Sequence, residues 1–285
     1  MLDVLKDTLI DFLKLLPFLF LTYLLLEFIE HKAEEKMTSL IRRAGAWGPV
    51  IGSALGLVPQ CGFSTAASNL YAQRLLSAGT LLAVYLSTSD EMLPILISSA
   101  APSSTIVRIL TAKCLIGLAA GLLTDRLIRP FRGAREEVNI HETMCDPDGC
   151  RCEDGILLSA LRHTLQIAAF ILVITFLLNT LIFLIGEEAL AGLILNRPVV
   201  GPILAALVGL IPNCAGSVLI TELYLQGGMT AGAMLAGLLS ASGVGLLVLY
   251  RTNRRRMRDN VVITALLVGF AVASGLLCDA MGVVF

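Results

Sequence analysis

Charge is scarce in this chain. Its 21 Lys and Arg and 22 Asp and Glu make up 15% of 285 residues, where a soluble domain carries about 25%. Other features are missing with it. No G-x-x-x-x-G-K-[ST] element occurs, which excludes a P-loop and leaves ion coupling or a partner as the energy source. With His31 and His163 read as marking membrane interfaces, no Ser/His or His/Asp pair is placed deep in the spanning segments, which argues against an intramembrane hydrolase or a lipid-modifying enzyme. The start of the chain contains acids and lacks a small-residue cleavage site, so no cleavable signal peptide is expected. Nothing calls for a cofactor. One Arg cluster and a net charge of −1 leave no nucleic-acid surface.

What remains is apolar. Hydrophobic residues make up 56%, and the mean hydropathy is +0.83. They are concentrated in runs long enough to cross a hydrocarbon core of about 30 Å, which takes about 20 helical residues. Residues 8–29 form the first such span, followed by a polar, basic stretch from Glu30 to Arg43. Residues 45–58 and 61–74 are each too short to cross comfortably and meet at Pro59-Gln60-Cys61, predicting two half-helices. Two full-length spans, 77–99 and 106–128, complete the first half. The second half repeats the plan with 156–178, half-helices 199–211 and 214–226, and spans 228–249 and 261–283.

The halves are also related residue by residue. Gly48-Pro49-Val50-Ile51 leads to Gly56-Leu57-Val58-Pro59-Gln60-Cys61, and Gly201-Pro202-Ile203-Leu204 leads to Gly209-Leu210-Ile211-Pro212-Asn213-Cys214. At a constant offset of 153, residues 48–90 and 201–243 are identical at 17 of 43 positions. Gly/Pro-interrupted apolar segments at matching places in two halves are the best sequence pointer to a transporter's binding site.

Lys and Arg give the orientation. Lys32, Lys36, Arg42 and Arg43 lie between the first span and the first half-helix, whereas the equivalent stretch near 186–198 holds only Arg197. The loop near 100–105 has no basic residue, while its counterpart at 250–260 has Arg251, Arg254, Arg255, Arg256 and Arg258. The bias changes sides between equivalent loops, as it does when two repeats insert upside down relative to each other. Five segments per half permit this. The expected fold is therefore an all-α polytopic membrane protein with two inverted repeats, 1–132 and 155–285, joined by a cytosolic linker, 133–154. Both termini are then outside, and the loop at 250–260 is cytoplasmic.

Three constellations carry chemistry. A helix broken at Pro leaves carbonyls and N–H groups without intrahelical partners. Two facing breaks would offer carbonyls to a cation and helix N-termini to an anion. Pro59, Gln60, Cys61 and Ser64, with Pro212, Asn213, Cys214, Ser217 and Glu222, are the substrate-binding candidates. The second constellation is Ser87-Thr88-Ser89-Asp90-Glu91, in which Ser87, Asp90, Glu91 and Pro94 follow i, i+3, i+4, i+7 spacing and predict one helical face. An ionised acid at mid-membrane costs about 2.5–3.5 kcal/mol, so Asp90 and Glu91 need a cation, a proton or a base. Lys113, deep in the next span, is the basic candidate. Asp125 and Asp279 lie near span ends and read as interfacial, as do His31 and His163. The third constellation is His141-x3-Cys145-x4-Cys150-x-Cys152 in the linker, a weak metal site whose spacing fits no zinc finger.

The duplicated Gly-Leu-apolar-Pro-polar-Cys elements, the Ser-Thr-Ser-Asp-Glu run and the ten-segment plan resemble the ten-helix heavy-metal exporter family. Its members carry the names of arsenic efflux proteins or manganese transporters. The likeness covers nearly the whole chain, and Pro59-Gln60-Cys61-Gly62 and Pro212-Asn213-Cys214 are its most specific part. The chain is more distantly similar to arsenical permeases with a Pro-Phe-Cys-Ser-Cys signature. It lacks the second Cys of each element, so thiol-only chemistry does not carry over. The resemblance implies export of a metal or metalloid by a multi-pass permease of the bacterial inner membrane.

Oxygen donors suit Mn²⁺, and paired thiolates suit softer ions such as trivalent arsenic. Asp90, Glu91, Glu222, Gln60 and Asn213 outnumber Cys61 and Cys214, which favours a divalent cation. The expected partners are the metal or metalloid, protons and the bilayer, in a form compatible with a homo-oligomer. Arsenical efflux through Cys61 and Cys214 is the alternative within transport. A membrane-embedded enzyme, a channel or a non-transporting assembly subunit is the alternative outside it.

Overall fold

The computed structural model describes residues 47–58, 61–89, 92–128, 199–212 and 214–285, with isolated helical residues between 16 and 24 and between 161 and 180. The spans expected at 8–29 and 156–178, the linker 133–154, His31 and His163 therefore fall largely or wholly outside the described residues. Among the described residues all regular structure is helical. The chain runs α1 (Gly48–Gly56), α2 (Cys61–Ala72), α3 (Ala78–Ser87), α4 (Met92–Ser98) and α5 (Ser103–Ile128). After the linker region come α6 (Val200–Gly209), α7 (Cys214–Leu225), α8 (Ala231–Ser240), α9 (Gly245–Thr252), a 3₁₀ turn at Arg254–Arg256 and α10 (Met257–Ala280).

Both half-helix pairs are present. Pro49 sits in the first turn of α1, where its missing N–H has no helical partner to lose. The last turn tightens: Leu57 N donates to Ala54 O at 3.3 Å and Val58 N to Leu55 O at 3.1 Å. Helix then resumes at Cys61 and, in the second half, at Cys214.

The two spans read as continuous, 77–99 and 228–249, are not. Helix α3 stops at Ser87, with Thr88 and Ser89 out of the helix, and resumes as α4 at Met92. Helix α8 stops at Ser240 and resumes as α9 at Gly245. The second break contains Gly243 at φ +56°, a left-handed conformation open to glycine without steric cost. In the first, hydroxyls add to the last turn of the ladder: Ser87 Oγ donates to Ala83 O at 2.7 Å and Thr88 Oγ1 to Val84 O at 2.7 Å, which also accepts from Thr88 N at 3.0 Å. Each broken pair still covers a span's length, Ala78–Ser98 and Ala231–Thr252. With Ser103–Leu127 and Arg254–Ala280, four stretches among the described residues are long and apolar enough to cross a membrane.

The packing repeats between halves. Helix α1 lies on α3 and α5 as α6 lies on α8 and α10, and α3 packs on α5 as α8 packs on α10. Between the halves the arrangement exchanges: α2 packs on α9, α7 packs on α4, and the equivalent helices α3 and α8 touch each other.

Close approach within each half depends on small residues. A Cβ on Gly79 would lie 2.1 Å from Gly121 O, and one on Gly232 would lie 2.2 Å from Gly275 O. One turn further along, a carboxylate closes the crossing. Asp125 Oδ1 accepts from Gly79 N at 2.9 Å and its Oδ2 from Ser77 Oγ at 2.7 Å. Asp279 does the same with Gly232 N and Thr230 Oγ1, both at 2.8 Å. Ser77 and Thr230 are themselves N-caps, accepting from Thr80 N and Ala233 N. Asp125 and Asp279 do lie near helix ends, but their work is structural: each places a negative charge on the positive start of a broken span.

Hydrogen bonds to a charged acceptor contribute about 1.5–3 kcal/mol each. Asp125→Ala and Asp279→Ala are expected to lower the unfolding midpoint of the detergent-solubilised protein by similar amounts. Two unchanged midpoints would refute the capping role.

Candidate functional site

In each half the two chain breaks meet. The last residue of α1, Gly56, abuts the end of α3: a Cβ there would come 2.0 Å from Ser87 Oγ and 2.8 Å from Val84 O. The last residue of α6, Gly209, abuts the end of α8 in the same way, at 2.3 Å from Ser240 Oγ and 2.2 Å from Gly237 O. Ser240 Oγ also donates to Ala206 O at 2.8 Å. Two carbonyl-bearing helix ends are thereby brought together twice, once per half.

These ends are satisfied differently in the first half. Ser89 Oγ donates to Leu57 O at 2.7 Å, so a hydroxyl from one break closes a carbonyl of the other. The Lys113 ammonium donates to Thr88 O, the carbonyl at the end of α3, and to Leu238 O on α8 at 2.9 Å. Lys113 is 1% exposed. It is the eleventh residue of the 26 in α5, about 15 Å from the helix start at 1.5 Å per residue, and hence near mid-span. Among the described residues it is the one buried side chain that carries charge. Counted from the Gly121 and Gly275 contacts, its counterpart in the second half is Leu267, also buried. The cation belongs to one half only.

Helix α2 reaches across to the second half. Ser68 Oγ lies 2.8 Å from Gly245 O and 2.7 Å from Tyr85 Oη, and a Cβ on Gly245 would come 2.7 Å from Ser64 Cβ. Thr252 Oγ1 donates to Asn69 Oδ1 at 3.2 Å. Arg74, held at φ +65° after the end of α2, pairs with Asp259 at 3.5 Å. Thr65 and Asn69 on this helix and Gln73 just past its end recur every fourth residue and are 1%, 1% and 3% exposed. Thr65 Oγ1 and Gln73 Oε1 have no hydrogen-bond partner, a cost of about 1–3 kcal/mol each in a dry setting. This polar stripe was not singled out from the sequence, although its i, i+4, i+8 spacing is visible there.

The equivalent crossing in the other direction, α7 on α4, is open. Glu222, the counterpart of Asn69, is exposed, as is Gln226, the counterpart of Gln73. Leu225 is 40% exposed where Ala72 is 4% exposed. Ser98, Ser99 and Ala100 are exposed, whereas Arg251 and Thr252 are half-buried and Asn253 is buried.

Of the sequence candidates, Ser64, Ser217 and Ser87 are buried, Pro212 is half-buried in the turn between α6 and α7, and Lys113 is buried at the break. Cys61 and Cys214 begin α2 and α7. The single-face reading of Ser87, Asp90, Glu91 and Pro94 is corrected, because the helix is interrupted between Ser87 and Met92. Pro59, Gln60, Asp90, Glu91 and Asn213, and the linker residues His141, Cys145, Cys150 and Cys152, lie outside the described residues. Among the described residues no three His, Cys, Asp or Glu side chains gather to hold a metal. A shallow groove along α10, lined by Tyr250, Thr264, Val268 and Val272, is apolar and lacks the donors a metal requires.

No curated protein and no solved structure matches the chain. A family profile does, over residues 1–153 and 135–250. The breaks, the buried lysine and the polar stripe are therefore features of a protein that belongs to the family described as "Putative, 10TM heavy-metal exporter".

Proposed function

We propose that the chain is a secondary-active exporter of a divalent metal ion, Mn²⁺ first, driven by protons through alternating access of two inverted repeats, 1–132 and 155–285. The observation that carries this reading is the meeting of two broken helices in each half, with Lys113 on the exposed carbonyl of one of them. Discontinuous helices at mid-membrane supply main-chain oxygens and helix dipoles to ions without the full cost of buried side-chain charge. Asp90 and Glu91 follow Thr88 by two and three residues, so the sequence puts both acids at that break. In the proposed cycle they release protons, accept the metal with oxygens from Gln60, Ser64, Asn213 and Ser217, and discharge it after the halves rock. Ser87 shapes the break, and Glu222 joins from the second half.

The unequal crossings support alternating access. The Arg74–Asp259 pair brings the turn after α2 beside the Arg-rich turn before α10. The positive-inside bias assigns that side to the cytoplasm. The conformation is then shut on the cytoplasmic side, where α2 crosses α9, and open outside, where α7 crosses α4. The opposite state follows if the two crossings exchange their packing.

A thiol-based reading rests on Cys61 and Cys214 standing at equivalent helix starts. In it, these residues carry arsenite or an organoarsenical. Cys61→Ser and Cys214→Ser discriminate, since a hard cation tolerates them and a thiol-bound metalloid does not. The weak linker site, His141, Cys145, Cys150 and Cys152, would act in metal capture on the cytosolic side in either reading.

Uptake of Mn²⁺ and of arsenite into everted vesicles, with and without a pH gradient, is the direct measurement. Asp90→Asn is expected to abolish Mn²⁺ uptake at an unchanged level of protein in the membrane. Uptake equal to wild type would remove the acids from the mechanism. For the cycle, paired cysteines at Asn69 and Thr252 should cross-link in the metal-free protein. Cysteines at the equivalent Glu222 and Ser99 should cross-link only when inward opening is forced. Equal cross-linking of both pairs under all conditions would refute the exchange.

A further inference from the structure

We infer that the buried oxygens of Thr65 and Gln73, with Asn69 between them, line the cytoplasmic approach of the transported species, which deepens the transport reading above and rests on it. Their ligand is a donor of O–H hydrogen bonds: the water shell of a hydrated cation, or the hydroxyls of arsenous acid.

Helix α2 is where one half crosses α9 of the other. Asn69 accepts from Thr252 of α9 at 3.2 Å. Thr65 and Gln73 stand four residues to either side of it, and so on the same helical face. With Ser64 and Ser68, five polar residues at a contact between the halves are at most 3% exposed. An interface made only to seal would leave none of their oxygens without a partner. Hydroxyls in apolar helices commonly close on their own ladder. Ser68, Ser87, Thr88, Thr221 and Thr264 all do so here, each donating to the carbonyl four residues back. Thr65 does not. Its Oγ1 has no hydrogen-bond partner, and neither has Gln73 Oε1. Among the described residues three buried side-chain oxygens are idle in this way, and two of them lie on this face; the third, Thr124 Oγ1, is on α5.

The other crossing presents the same face uncovered. Glu222 and Gln226, the counterparts of Asn69 and Gln73, are exposed where α7 crosses α4. Opening the α2–α9 crossing would bare the stripe in the same way and give its idle oxygens the donors they lack. At 1.5 Å per residue the stripe covers about 12 Å. Its inner end adjoins Ser64, one of the proposed ligands, and its outer end adjoins the Arg74–Asp259 pair, whose charges offset each other. Between Thr65 and Gln73 the chain carries no Asp, Glu, Lys or Arg. A neutral lining of this kind holds a hydrated ion by its water shell and leaves stripping of that shell to the centre.

Thr65→Cys and Gln73→Cys, each in the full-length chain in everted vesicles, are treated with a charged, membrane-impermeant thiol reagent. Modification is read at that residue by mass spectrometry. Both positions are expected to react while the vesicles take up Mn²⁺ or arsenite under a pH gradient, whereas Leu81→Cys, buried in the scaffold, stays protected. Failure of either position to react overturns the inference. Thr65→Val combined with Gln73→Leu removes both idle oxygens. It is expected to match or exceed the wild-type unfolding midpoint and yet lose about fivefold or more of uptake. Mn²⁺ and arsenite, run separately, tell which donor the stripe serves. A structural role gives the reverse, and either wild-type uptake or a lowered midpoint overturns the inference. Should the double variant not reach the membrane, the labelling decides alone. Modification at both positions with uptake of neither solute by wild type would instead sink the transport reading and leave the wetted face standing.

Discussion

A polar main chain interrupted inside apolar surroundings must find partners for every N–H and C=O that the interruption frees, because hydrocarbon supplies none. That constraint organises the described part of this protein. Each half holds two interruptions, between α1 and α2 and between α3 and α4 in the first, and at the equivalent places in the second. Placing them side by side lets each supply the other. Ser89 of one break closes Leu57 of the next, and Ser240 reaches Ala206. Glycine at the last position of α1 and of α6 permits the approach, since a side chain there would occupy the space of the Ser87 or Ser240 hydroxyl.

Stability and function are divided along the same line. The ends of the broken spans far from the breaks are fixed by a repeated device: a glycine crossing, a capping hydroxyl and an aspartate, at Gly79, Ser77 and Asp125 and again at Gly232, Thr230 and Asp279. Both copies are geometrically alike, as expected of elements that hold a scaffold. The breaks themselves have diverged. One carries Thr88, Asp90, Glu91 and a lysine from α5; the other carries Ala241, Gly243, Val244 and a buried leucine. A neutral break can follow a glycine through left-handed space, whereas a charged one needs compensation by a cation or a proton.

How much of this was legible in the sequence depends on what the signal was. The half-helix boundaries were readable to within about three residues because Gly and Pro act locally on the backbone. The interruptions of the spans at 78–98 and 231–252 were not. Ser and Thr sit comfortably in an apolar helix by bonding to its own carbonyls, so hydropathy continued unbroken across Ser87-Thr88-Ser89. Gly243 alone was a weak sign. Asp125 and Asp279 were placed near helix ends correctly, but their partners lie 46 to 49 residues away, and spacing cannot reveal such a pair. Lys113 was recognised as an unusual charge. Two of its acceptors, the carbonyls of Thr88 and Leu238, escaped notice because a carbonyl oxygen has no side-chain signature.

The duplication also explains why one asymmetric cation suffices. With α3 and α8 touching between the halves, a group on either α5 or α10 can reach carbonyls of both halves, so a second lysine would bring like charge to the same centre. Two ammonium groups a few ångströms apart in a dry interior repel by several kcal/mol at an effective dielectric near 20. A buried leucine at the matching place avoids that repulsion and packs the second half around the break. Repeated packing in the scaffold with one buried lysine among the described residues is therefore the arrangement electrostatics favours when two equivalent helices share one set of main-chain oxygens.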